Sequence, residues 1–146
     1  MKNIMAPIDF SDVAEDVIQQ AAHLAMAFSA KLWIIHVAAP DPAFLGYKIG
    51  PQHERDWRAE TLRDEHKWIQ KKAQELNKSD VSVEGLLIQG STIDSIIKEG
   101  SRLEADLLVM GSHGYGKLLK PLVGSICEGL IKRAFCPILI VPCRKN

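Results

Sequence analysis

The chain has 146 residues, about one domain's worth. Apolar residues make up 47% and charged residues 25%, and eighteen basic side chains balance eighteen acidic ones. This composition excludes general disorder, and the missing basic excess argues against a general binder of nucleic acid or anionic membrane. A chain of this size buries roughly 70% of its unfolded surface, so a core can form without disulfide or metal.

Pro7 and Asp9 interrupt the N-terminus too early for a signal peptide. No apolar run approaches the ~20 residues needed to span a bilayer. Cys127, Cys136 and Cys143 are odd in number, and their spacing fits neither a disulfide framework nor a CxxC redox or zinc pattern. The expectation is a cytoplasmic protein with reduced thiols.

Lys2 to Ile8 reads as a buried strand, and Ser11 or Asp12 is placed to cap the helix that follows. Val13, Val17, Ala21, Leu24 and Phe28 form that helix's apolar stripe. Lys31 to Ala38 is a second strand, nearly continuous in apolar character, as a strand covered on both faces should be. From Ala39 to Pro51, three prolines and two glycines mark a long loop. A charged helix follows from about Gln52 to Asn77, with Leu62, Ile69, Ala73 and Leu76 inside. Its six acids and six bases between Glu54 and Glu75 read as a solvated outer face.

Val81 to Ile88 is a third strand. Ser91-Thr92-Ile93-Asp94 matches a capping box opening a helix with Ile93, Ile96, Ile97 and Leu103 inside. Asp106 to Met110 is a short fourth strand, and a glycine-rich loop follows it. Ser125-Ile126-Cys127-Glu128 is a second capping-box match, with Ile126, Leu130, Ile131 and Ala134 at helical spacing. Pro137 to Pro142 is a fifth strand. The alternation βαβαβαβαβ predicts one three-layer α/β domain over 1–146, a parallel sheet with helices on both faces. Ligands of such sheets bind outside the strands' carboxyl ends, at the switch point of strand order. The residues just past the strands are Asp9, Val37, Gln89-Gly90 and Gly111 onward.

Gly111-Ser112-His113-Gly114-Tyr115-Gly116-Lys117 follows the fourth strand, and Gly124-Ser125 opens the next helix. Glycines let backbone N–H groups converge on one concavity, and the helix start adds unpaired N–H groups and the positive end of its dipole. Together these suit a di- or triphosphate. Gly111-x4-Gly116-Lys117 lacks the Ser or Thr that a P-loop needs for magnesium, since Leu118 follows.

Read as Gly-x2-Gly-x9-Gly-Ser, residues 111, 114, 124 and 125 resemble the nucleotide-binding signature of the universal stress protein family. Ile4-Met5-Ala6-Pro7-Ile8-Asp9-Phe10-Ser11 is similar to the family's first strand and its terminal Asp. Leu32 to Val37 resembles its second strand, Ala105 to Gly114 its fourth strand and loop, and Cys136 to Pro142 its closing strand. The resemblance implies strand order 3-2-1-4-5 in an adenine nucleotide alpha-hydrolase-like fold, dimerisation and, with this signature, ATP binding. Carried over, Asp9 meets the ribose or adenine and Val37 lies near the base. Met110 and Gly111 line the nucleoside, while Gly114, Gly124, Ser125 and Ile126 cradle the phosphates. Pro7 and Ile8, leading into Asp9, and His113, inside the loop, complete the candidate contacts.

Each residue also has a plainer role. Asp9 could cap its helix, but Ser11 and Asp12 are available for that, so Asp9 is read as a ligand contact. Ser125 can cap its own helix and face the anion site at once. His113, Lys117 and Lys120 could draw phosphate or simply be solvated. His36 is read as a satisfied core histidine, Trp57 and Trp68 as packing under the 39–51 loop, and Cys127 and Cys136 as core. No catalytic residue and no metal ligand set is assigned; magnesium could enter through the phosphates. The expected function is a stress-response regulator that binds ATP, ADP or AMP. The alternatives are a slow ATPase or nucleotidyl- or phosphoryl-transfer enzyme, and an interaction module with a vestigial site.

Overall fold

The computed structural model describes residues 1–39, 51–112 and 124–142. Strands and helices alternate in the expected order: β1 (Asn3–Ile8), α1 (Ala14–Phe28), β2 (Lys31–Ala38), α2 (Gln52–Asn77), β3 (Val83–Gln89), α3 (Thr92–Arg102), β4 (Leu107–Gly111), α4 (Ser125–Lys132) and β5 (Ile138–Val141). The five strands form one parallel sheet in the order β3-β2-β1-β4-β5.

Side-chain alternation along the strands divides the core into two halves. Ile4, Ala6 and Ile8 of β1 join Ile34 of β2 and Val109 of β4 on the face covered by α1 and α2. Met5, Ile35, Leu108 and Met110 point the other way, onto Ile96 of α3 and Cys127 and Leu130 of α4. A sheet buried on both sides explains why its central strands read as continuous apolar runs rather than alternating ones.

Strand bounds shift by one or two residues from expectation, and side chains explain two of the shifts. The Asp106 carboxylate accepts the backbone N–H groups of Lys2 and Asn3, so it clips β1 to β4 from just outside both strands. The Asn77 side chain brackets Val83, donating to its carbonyl and accepting its N–H, and β3 begins there.

Three patterning expectations need correction. Phe28, expected inside α1, is 51% exposed. It is the helix's last residue, and the chain turns away at Ser29 in the left-handed region (φ 49°), so no further turn covers it. The buried stripe is instead Ala14, Val17, Ile18, Ala21, Ala22 and Ala25. In α4, Cys127 and Leu130 are buried, but Ile126 and Ile131 are 40% and 45% exposed, and exposed Ala134 lies past the helix end. A helix of eight residues offers the sheet only one narrow stripe. Neither capping box forms: Ser91 and Gly124 hold the N-cap positions of α3 and α4, and neither helix has a side-chain cap bond.

Candidate functional site

β1 pairs with β2 along its whole length, from Asn3 against Lys31 to Ile8 against His36. On its other side the ladder to β4 holds only two pairs, Ile4 with Leu107 and Met5 with Leu108. Both strands continue, β1 to Ile8 and β4 to Gly111. Pro7 has no N–H to donate, which is why proline is rarely tolerated in a central strand. Here it follows the end of that ladder. The sheet is therefore open between β1 and β4 toward the carboxyl ends, at the point where strand order reverses.

The chain leaves β1 through a strained turn. Phe10 has φ 58°, a left-handed conformation that costs an aromatic residue roughly 1–2 kcal/mol. Its ring meets His36 edge-on, with centroids 4.5 Å apart, and Trp68 of α2 at 5.1 Å. His36 Nδ1 lies 2.9 Å from the Ile8 carbonyl oxygen. A carbonyl can only accept, so Nδ1 carries the proton. Nε2 stands 3.6 Å from a Glu65 carboxylate oxygen. His36 is thus buried and satisfied, as its place in a strand suggested.

Half-buried Asp9 uses Oδ1 to accept the Ser11 N–H at 3.1 Å. Neither Ser11 nor Asp12 caps α1 with its side chain. Val13 is the N-cap residue, and the Ser11 backbone carbonyl accepts the Ala14 N–H. Asp9 is accordingly an organiser of the turn before the helix, with its carboxylate at the strand's carboxyl end.

Val37 is half-buried opposite Ile88 of β3. Ile8 is buried under α1 and α2, and Met110 under α3 and α4. Gly111 pairs with Val141, and the next residue, Ser112, donates its N–H to the Val141 carbonyl. The Ser112 carbonyl in turn accepts the Gly124 N–H at 2.8 Å. That bond fixes the start of α4 at the carboxyl end of β4. His113 and Gly114, with Lys117 and Lys120, lie outside the described residues.

Gly124 has ordinary extended angles (φ −71°, ψ 161°), so its backbone conformation is open to any residue. With glycine at the N-cap, that residue offers α4 no side-chain cap, and Ser125 and Ile126 of the first turn are exposed. Such a terminus favours an anion. Cys127, one residue further on, is buried, and burial pushes its thiol up, which keeps it protonated and unreactive. Among the described residues no cluster of His, Cys, Asp or Glu could hold a metal ion.

Arg58 and Glu65 of α2 were missed from sequence, and Trp68, read there as packing, proves to back the turn after β1. Arg58 donates to the Ala39 carbonyl, just past β2, while Glu65 and Trp68 back the turn after β1. They sit at spacings of seven and three, in line with buried Ile69 and Ala73. That alignment with the apolar stripe was the available signal, hidden by the even mixture of charges. The two tryptophans part company: Trp68 packs on Phe10, whereas Trp57 is 69% exposed in the first turns of α2, where residues 51–57 are all exposed.

Comparison with known proteins agrees with this architecture. The model of the universal stress protein family matches residues 1–142. The universal stress protein MJ0531 of Methanocaldococcus jannaschii is 31% identical over 143 residues, covering 96% of this chain and 81% of the relative. The chain belongs to the universal stress protein family. The solved structure of the MJ0577 protein, from the same organism, superposes with a TM-score of 0.82 at 23% identity, covering 99% and 98% of the two chains. Two further neighbours are nucleotide complexes. A universal stress protein bound to cAMP has TM-score 0.67 and 24% identity, with 96% of each chain covered. One from Archaeoglobus fulgidus bound to dAMP has TM-score 0.65 and 18% identity, covering 96% and 97%. No helix among the described residues is long and apolar enough to cross a membrane.

Proposed function

We propose that this chain is a single-domain stress-response regulator that works by binding an adenine nucleotide, with ATP as the first candidate. The observation that carries the reading is the Gly124 N–H bond to the Ser112 carbonyl. It sets an uncapped helix terminus beside the open end of the β1–β4 ladder, so a phosphate site and a nucleoside crevice adjoin. The signature Gly111, Gly114, Gly124, Ser125 and the cAMP and dAMP complexes of similar folds support an adenine nucleotide over other anions.

In this reading Pro7, Ile8, Asp9 and Val37 bound the nucleoside on one side, and Met110 and Gly111 on the other. The side chains of Ile8 and Met110 are committed to the core, so these residues offer main chain to the ligand. His113, Gly114, Gly124, Ser125 and Ile126 take the phosphates, and magnesium enters only as a partner of those phosphates. A homodimer through the edge strand β5 completes the proposal.

Hydrolysis is expected to be negligible, far below the roughly 1 to 10³ per second typical of enzymes. Backbone donors bind ground-state and transition-state phosphates with little discrimination, and uniform binding does not raise kcat. Equilibrium dialysis of purified protein against ATP, ADP and AMP tests the reading, together with identification of any copurifying nucleotide. Saturable ATP binding without turnover over hours is the expected result. No binding leaves the interaction-module alternative, and turnovers per minute abolished by Asp9→Ala would establish the enzyme.

A further inference from the structure

We propose that His36 is a positioning residue that holds the Asp9–Phe10 turn in its binding-competent form; the inference rests on the nucleotide reading above. Aromatic residues do not adopt positive φ unless their surroundings over-determine it. Phe10 is held on two sides, by the His36 and Trp68 rings, both in edge contact. His36 itself is fixed through Nδ1 and lies beside a carboxylate at Nε2. Nδ1–H donates to the Ile8 carbonyl at 2.9 Å, and Nε2 faces Glu65 at 3.6 Å.

Asp9 therefore lies between two anchored neighbours, with the Ile8 carbonyl held by a ring nitrogen and the Phe10 side chain held by the same ring's edge. Its carboxylate is further tied to the Ser11 N–H. The ring reaches this turn from β2, and through Glu65 and Trp68 the turn is backed by α2. Among the described residues His36 meets the Ile8 carbonyl, the Phe10 ring and Glu65, so its effect on a ligand passes through the turn. A rigid turn spares the ligand the ordering cost of aiming Asp9, which is how preorganisation raises affinity.

The test combines one spectrum with two variants. A long-range proton–nitrogen NMR spectrum of the parent should show His36 with Nδ1 protonated, as the tautomer with Nδ1–H or the doubly protonated ring. The tautomer protonated only on Nε2 overturns the clamp. His36→Leu removes the donor, whereas His36→Asn keeps an N–H near the Nδ1 position. Both lose the ring contact with Phe10, so both should melt earlier than the parent. ATP affinity measured by calorimetry should fall about tenfold in His36→Leu and within about threefold in His36→Asn. Equal losses in the two variants, or parent-like binding by His36→Leu, overturn the positioning role. Should His36→Leu not fold, Phe10→Leu keeps the hydrogen bond and removes the ring contact. It should weaken ATP about threefold, and parent-like affinity counts against the inference. A parent that binds no adenine nucleotide overturns the proposed function and the positioning role together, while the tautomer spectrum still decides whether the clamp exists.

Discussion

Gly124 is the residue on which the proposed phosphate site turns, and its angles make it a clean target. Because φ −71° and ψ 161° suit valine as well as glycine, Gly124→Val puts a branched side chain at the proposed anion site without straining the backbone. The expected outcome is at least about a tenfold loss of ATP affinity by equilibrium dialysis with the circular dichroism spectrum unchanged. Parent-like binding would remove α4 from the proposed site. A second residue, Asp106, is a pH reporter. The backbone N–H groups of Lys2 and Asn3 hold its carboxyl below the usual carboxylate range. A depressed folded value means the stabilisation is complete above the unfolded pKa of about 3.9 and lost as pH falls through the lower folded value. Asp106→Asn should lower Tm at pH 7, and the difference from the parent should shrink in melts run below pH 3. A gap that persists or grows in acid contradicts this account.

At the scale of elements, α2 depends on one glycine of β3. A Cβ on Gly85 would sit 2.3 Å from Ile69 Cγ2 and 3.1 Å from the Ile69 carbonyl oxygen. The first clash is with a side chain wedged in the core at no exposure, and the second is with backbone, so the helix must back away. Gly85→Ala should cost about 2 kcal/mol in urea unfolding. Adding Ile69→Ala should cost less in the Gly85→Ala background than in the parent, since the two changes share one space. Additive losses would mean the contact is not limiting. The same retreat would draw Glu65 and Trp68 off the turn after β1, which makes nucleotide affinity a second readout of α2 docking.

For the whole molecule the open question is assembly. β5 is a sheet edge, and Leu139 and Ile140 on opposite faces of it are both more than one-third exposed. An apolar edge strand invites pairing, and a second copy of the chain is the proposed partner. Ile138 packs into the core beneath α3 and α4, so charge placed there tests folding more than association. Leu139→Lys and Ile140→Lys are the better probes. The parent should sediment as a dimer at micromolar concentration and each variant as a monomer of unchanged secondary structure. A monomeric parent would exclude the proposed interface.

The order of elements, the bounds of α2 and the parallel sheet were legible in the sequence because they rest on short-range physics. Apolar periodicity distinguishes helix from strand, and alternation of the two dictates crossovers of one hand. The proposed anion cradle was likewise read from local spacing, Gly111 to Gly124, because a backbone that approaches an anion closely favours glycine. The tertiary structure alone decided which side chains meet across elements. Arg58 and Glu65 looked like members of a solvated charge run until docking on the sheet turned one line of α2 inward. Phe28, Ile126 and Ile131 fit the right period, yet their helices end or are too short to bury them. The left-handed Phe10 could not be foreseen either. No local propensity favours that conformation, and β2 and α2 close on it from two distant parts of the chain.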